Sequence, residues 1–280
     1  MKKKKSFVTE SLSGVLSFVR SSVLAEEYAL KNGFLQSFDP RVKLISFSLF
    51  FLTAILLRRI DLLAILYILC LILVFTSKIS LGYFLKRTLV FIPIFSLFIA
   101  FPAIFSLFSP GEAVAVLKLP HFSLTITQQG LYSGGLFVVR VLVSVSYAVI
   151  LSLTTRHTVL LRVLRVFKVP QIFILVLGMC YRYIYLFVEI IENTFLSIKS
   201  RCGGLMHYKK GQRVVGWNIA YLWQRSFVLS QQVYQAMLSR GYSGEPVLLE
   251  DFRTKARDWL LLSSTVIFLS AMIFINTRLA

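Results

Sequence analysis

Six apolar stretches recur along the chain, at roughly 44–57, 60–76, 88–108, 131–153, 172–188 and 259–276. An α-helix needs about 20 residues to cross about 30 Å of hydrocarbon. The first two stretches, linked by Arg58-Arg59 with Asp61, are short, so they must borrow flanking residues or thin the bilayer. The third carries Pro93 and Pro102, which predict a kink. The fifth holds Arg182 near its middle, and a central arginine costs about 2.5–3.5 kcal/mol on insertion scales. Were it to cross, it would carry Lys199, Arg201, Lys209, Lys210, Arg213 and Arg225 outside. The pattern therefore predicts five spans, with 172–188 opening a long helix that lies against the cytoplasmic side. The expected class is an all-α polytopic membrane protein, with about five transmembrane helices and a cytoplasmic module of three more.

Basic residues then set sidedness. A lysine-rich start, Lys2 to Lys5, reads as a solvated cytoplasmic tail that fixes orientation. Four crossings place Lys78, Lys86 and Arg87 inside, leave the weakly charged 109–130 loop outside, and return Arg156, Arg162, Arg165 and Lys168 inside. Arg58 and Arg59 fall on the wrong side. The expected organisation is an N-terminal cytoplasmic segment over 1–40, four spans over 41–153, a cytoplasmic module over 154–257 and a last span over 258–280, ending outside.

Within the module the spacing predicts helices over about 155–169, 171–202 and 214–241. In the first, Val159, Leu160, Val163, Leu164 and Phe167 recur at helical spacing while Arg162, Arg165 and Lys168 lie on another face, an amphipathic, interface-lying pattern. Val169-Pro170 ends it. The second carries an apolar face from Ile184 through Ile198 and stops at Gly203-Gly204. The third takes bulk from Trp217, Tyr221, Trp223, Phe227 and Tyr234 and stops at Gly241. Both long helices finish alike, in Ser200-Arg201 with Gly203 nearby and in Ser239-Arg240-Gly241. Arginine in a last turn complements the negative end of the helix dipole, and its planar guanidinium can fork onto carboxylates or carbonyls of a partner groove. Helix capping alone accounts for either copy singly. Two copies, both in the sole cytoplasmic module, point to contact with a soluble partner.

Composition supports the class. Of 280 residues 57% are hydrophobic and 15% charged, against about 25% charged in soluble domains. The net charge of +19 reads as loops held at an anionic leaflet, and no nucleic-acid partner is expected. Cys70, Cys180 and Cys202 are scattered, so no disulfide framework is expected, and no cleavable signal peptide is visible. Nothing matches the phosphate-binding pattern G-x-x-x-x-G-K-[ST]. His121, His157 and His207 lie far apart, so no metal site is expected. Arg182, Glu189 and Glu192 read as interface ion pairs. An independent secondary transporter or channel is the alternative class, but it would need charged or broken spans, and Arg140 is nearly alone in that respect.

The arginine motifs, above all Ala236-Met237-Leu238-Ser239-Arg240-Gly241-Tyr242, resemble the transmembrane T component of energy-coupling factor transporters. Asp39, Pro40, Arg41 and Lys43, in the Phe38-to-Leu44 stretch before the first span, resemble that family's lead-in segment. Thr154-Thr155-Arg156 with Val169-Pro170 is similar to its first coupling helix. The likeness covers nearly all of 35–280 and is nearest to the cobalt-type branch. It implies a non-catalytic membrane scaffold that grips a dimer of ABC-type ATPases through its coupling helices. Ser200, Arg201, Gly203, Ser239, Arg240 and Gly241 would make the ATPase contact. Cys202 departs from the family's small-Arg-Gly pattern. The likeness further implies a substrate-capturing membrane subunit and cobalt or nickel uptake across a prokaryotic plasma membrane. No cofactor is expected in this chain, ATP and Mg being bound by the partner ATPase.

Overall fold

The computed structural model describes residues 28–31, 33–89, 92–100, 102, 113–118, 123–202, 208–244 and 254–279. These form two compact units, one drawn from Thr158–Asp251 and the other from Glu27–His157 with Phe252–Ala280. The chain is an all-α polytopic membrane protein. Three of its described helices are long and apolar enough to cross a bilayer, Gln128–Thr154, Gln171–Ile198 and Ala256–Arg278.

In the larger unit, α1 (Pro40–Leu56) and α2 (Ile60–Thr76) have 17 residues each, about 25 Å of helix. Helix α3 (Leu81–Leu89) precedes the expected third span at 88–108, of which α4 (Ile92–Ala100) is the described helical part. Pro93 falls in the first turn of α4, where a missing N–H is tolerated. Next come β1 (Ala113–Lys118) and β2 (Ser123–Thr127), an antiparallel hairpin inside the stretch expected to be a plain loop. Thr127 caps α5 (Gln128–Thr154) by accepting from the Gly130 amide at 3.2 Å. The last helix of this unit is α9 (Ala256–Leu279), and α6 to α8 belong to the other unit.

The central helix is α5, against which α1, α2, α3 and α4 all pack, while α9 packs on α1. Tyr147 is the keystone. It is fully buried, its ring stacks on Phe50 of α1 at 4.6 Å, and its hydroxyl donates to the Leu66 carbonyl of α2 at 2.9 Å. Tyr147→Phe is expected to keep the stack and lose the bond. That costs about 0.5–1.5 kcal/mol, readable as a lower midpoint in thermal unfolding of the purified protein.

The α1–α2 link is clamped at the end of α1 opposite Asp39. Arg140 of α5 donates to the Leu57 carbonyl at 2.8 Å, Asn276 of α9 accepts from the Arg58 amide at 3.1 Å, and Arg59 pairs with Asp61 at 3.1 Å. The one charge that stood out within the spans thus satisfies a helix-end carbonyl left open at the C-terminus of α1. At the other end of α2, the chain from Gly33 to Ser37 is stitched onto the helix terminus. The Phe34 amide bonds the Thr76 carbonyl and Gln36 bonds both the carbonyl and the hydroxyl of Ser77. A Cβ on Gly33 would stand 2.5 Å from the Ser77 carbonyl oxygen, so this approach requires glycine.

In the smaller unit, α6 (His157–Val166) is shorter than the expected 155–169. It closes with Lys168 in the left-handed region, the Val169 amide reaching back to the Leu164 carbonyl. Helix α7 covers Gln171–Cys202 and α8 covers Tyr208–Ser239, 32 residues and about 48 Å each. The start of α8 lies six residues before the expected 214.

Candidate functional site

The second arginine motif is a complete helix stop. Gly241 has φ +80, its amide bonds the Leu238 carbonyl at 3.0 Å, and the Tyr242 amide bonds the Met237 carbonyl at 3.0 Å. This paired 5→2 and 6→1 arrangement is the Schellman motif. It places Arg240 at the C-cap, exposed, with Ser239 tied back to the Gln235 carbonyl at 3.0 Å. Nothing crowds a Cβ at Gly241, so its requirement is purely conformational. Gly241→Ala is expected to cost about 1–2 kcal/mol locally, seen as faster amide exchange over the last turn of α8.

Exposed Phe227, Tyr234 and Leu238, at i, i+7 and i+11, lie on one side of α8 and lead to that tip. In the first motif, Ser200 and Arg201 are exposed in the last turn of α7, while Gly203 and Gly204 lie outside the described residues. Both arginines are therefore exposed at the carbonyl ends of long helices.

Asp39, Pro40, Arg41 and Lys43 come together in a buried knot. Asp39 caps α1, accepting from the Arg41 amide at 2.8 Å, and Pro40 fills the first helical position. The Asp39 amide donates to Asp258 of α9 at 3.0 Å, and the other Asp258 oxygen accepts from the Lys255 amide at 2.7 Å. The Lys43 ammonium, 3% exposed, donates to the Thr154 carbonyl at the end of α5 at 3.3 Å. Asp39 and Asp258 supply the negative charge that offsets it. Chain order gives this knot a particular place. Just after Thr154 the backbone leaves for α6, and just before Asp258 it returns from α8. The cluster thus ties the starts of α1 and α9 to the end of α5 within the larger unit. The sequence singles out Asp39 to Lys43, and Thr154 as part of the first coupling helix, but neither the link of Thr154 to Lys43 nor Asp258, which stand 111 and 219 positions from their partners.

The remaining candidates separate. His157 opens α6, and His121 and His207 lie outside the described residues. Among the described residues Arg182 makes no ion pair with Glu189 or Glu192. It lines instead a groove of about 290 Å³ between α6 and α7, together with Arg162 and Arg165.

Comparison with known proteins identifies the family. The family model for CbiQ, a cobalt transport protein, matches residues 31–249. An uncharacterized protein of Methanocaldococcus jannaschii is 32% identical over 272 residues, covering 96% of this chain and 91% of its own. The energy-coupling factor transporter transmembrane protein EcfT of Streptococcus thermophilus is 26% identical over 245 residues, covering 82% and 87% respectively. The chain belongs to the CbiQ cobalt transport protein family and is a transmembrane component of the energy-coupling factor transporter type.

Proposed function

We propose that the chain is the coupling subunit of an ATP-driven importer in a prokaryotic plasma membrane, with its N-terminus cytoplasmic and cobalt or nickel as the transported ion. In this reading the transmembrane count is five, because Arg182 and the basic residues beyond it keep α7 on the cytoplasmic side. ATP and Mg are bound by a separate dimer of ABC-type ATPases, and a second membrane subunit captures the ion. Exposed Arg201 and Arg240 enter grooves on the ATPases, with Ser200, Gly203, Ser239 and Gly241 shaping the two tips. The observation that carries this reading is the Arg240 cap. An exposed arginine whose backbone is fixed at the end of a 32-residue helix, with an apolar stripe leading to it, supports the reading of a preformed plug.

Transmission follows from the buried knot. Closure of the ATPases on ATP displaces the two tips, and α7 and α8 carry that displacement as rigid elements. It reaches the membrane unit at the residues flanking Thr154 and Asp258, where Asp39 and Lys43 tie α1, α5 and α9 to one point. Such coupling needs an element with two arrangements, and the helix pair supplies it. The reading is tested by copurification. An ABC-type ATPase of the same organism, coexpressed with the tagged chain, should be retained stoichiometrically. If none is retained, the coupling role fails.

A further inference from the structure

Where α2 ends, an open groove of about 610 Å³ carries charge that the coupling role does not use. Tyr28, Lys31, Phe75 and Lys78 line it, and no carboxylate does among the described residues. Gln36 builds it, donating to the Tyr28 and Ser77 carbonyls, both at 3.1 Å, and so holding the segment of Lys31 beside that of Lys78. The Lys31 ammonium lies 4.3 Å from the centre of the Tyr28 ring, which stacks in turn on Tyr83 of α3 at 5.2 Å. Such a cation–π contact positions an ammonium without spending its N–H donors.

Lys78 is placed by its backbone. Its amide bonds the Phe75 carbonyl at 3.1 Å, and the Ile79 amide bonds the Val74 carbonyl at 3.4 Å. This is the helix stop that also closes α8, but with a lysine at φ +55 where α8 has Gly241. A Cβ is crowded in that region and glycine is not, so the lysine stands there against a steric cost. Both lysine side chains are exposed, and neither has a hydrogen-bond or ion-pair partner among the described residues.

The groove also terminates an apolar surface. Ile65, Ile68, Ile72 and Phe75 of α2 are exposed and, at i, i+3, i+7 and i+10, form one stripe. From Ile65 to Phe75 that stripe rises about 15 Å, half of the about 30 Å hydrocarbon thickness. We propose that Lys31 and Lys78 hold the phosphate of an anionic phospholipid of the cytoplasmic leaflet, whose acyl chains lie along the α2 stripe. The stripe has the depth of a single leaflet and ends at two unpaired ammoniums. Tyr28 and Tyr83 stand beside them, at the level where tyrosines collect in membrane proteins. The placement rests on this end of α2 being cytoplasmic, as proposed above, and not on any ATPase contact, so lipid retention and ATPase copurification can fail separately.

The test is native mass spectrometry of the full chain, released from detergent and titrated with palmitoyl-oleoyl phosphatidylglycerol or phosphatidylcholine. Wild type should retain phosphatidylglycerol preferentially. Lys31→Gln and Lys78→Gly should each lower that preference about fivefold. Lys78→Gly removes the charge while relieving the backbone, so a loss there does not come from misfolding. Arg225→Gln, the same change of charge at an exposed position of α8, should leave the preference as it is. Equal retention of the two lipids by wild type, an unchanged preference in Lys78→Gly, or an equal loss in Arg225→Gln would overturn the proposal. Displacement of the bound lipid by millimolar glycerol 3-phosphate would overturn it too, and assign the lysines to a soluble phosphate. So would a Lys31→Gln/Lys78→Gly chain that keeps its lipid but no longer copurifies with the ion-capturing membrane subunit, since the lysines would then face that protein.

Discussion

Replacing Arg201 and Arg240 together by alanine is expected to release the ATPase while leaving the chain inserted and folded. Both side chains are exposed in the isolated chain, and surface substitutions of that kind change stability by about 0.5 kcal/mol or less. In the assembled transporter each guanidinium would be buried in a groove, and truncating one partner of such a contact costs about 2–5 kcal/mol. The two tips sit on different helices, so their losses should add, weakening the complex about a thousandfold or more. Copurification and a titration of ATPase against the reconstituted chain read this out. Arg240→Lys separates charge from geometry: it keeps the charge but not the bidentate fork, so it should bind between wild type and alanine. If the double variant binds as wild type does, both arginines are helix caps and nothing more.

The second large effect is predicted at the buried knot. Asp258→Ala leaves the amides of Asp39 and Lys255 without their acceptor and strips one carboxylate from the surroundings of buried Lys43. Removing one partner from a buried charged cluster costs about 3–5 kcal/mol, enough to lower the yield of folded protein in size-exclusion profiles. Adding Lys43→Met should recover part of that loss, because the ammonium leaves with its counter-charge while the two amides stay unmet. No recovery would mean that Lys43 is held by the Thr154 carbonyl alone. The same pair probes transmission. A variant that folds with Lys43→Met alone should bind ATPase normally and transport poorly, since the link to the end of α5 is cut while the tips are intact.

Helix ends with side-chain punctuation were legible in the sequence. Pro170 marks the start of α7, and Gly241 marks the end of α8 because a left-handed residue closes that helix. The start of α8 was not legible, because residues 208–213 carry polar side chains and a glycine with no apolar period. Lysine, glutamine and arginine favour helix without announcing it. The hairpin β1–β2 could have been found: Ser123 to Thr127 alternates polar and apolar residues and is rich in β-branched ones, which is a strand signature. The long loop reading passed over it.

The site divides in the same way. Arg201, Arg240 and the Asp39–Lys43 stretch are local motifs that a single sequence displays. Thr154, Asp258, Asn276 and Leu57 act through backbone carbonyls or across more than 80 positions. A carbonyl acceptor leaves no side-chain pattern. Arg140 shows the consequence: read alone it suggests a charged transport pathway, and read in place it closes the end of α1.

The central claim is that transport depends on ATP hydrolysed elsewhere and delivered through this chain. The direct measurement is cobalt uptake into proteoliposomes containing the chain, the ABC-type ATPase and the ion-capturing membrane subunit, with and without ATP. Uptake that needs all three proteins and ATP, and that disappears with the Arg201→Ala/Arg240→Ala variant, is the result expected. Uptake by the chain alone, driven by an ion gradient and indifferent to ATP, would contradict the account and make the protein an independent transporter.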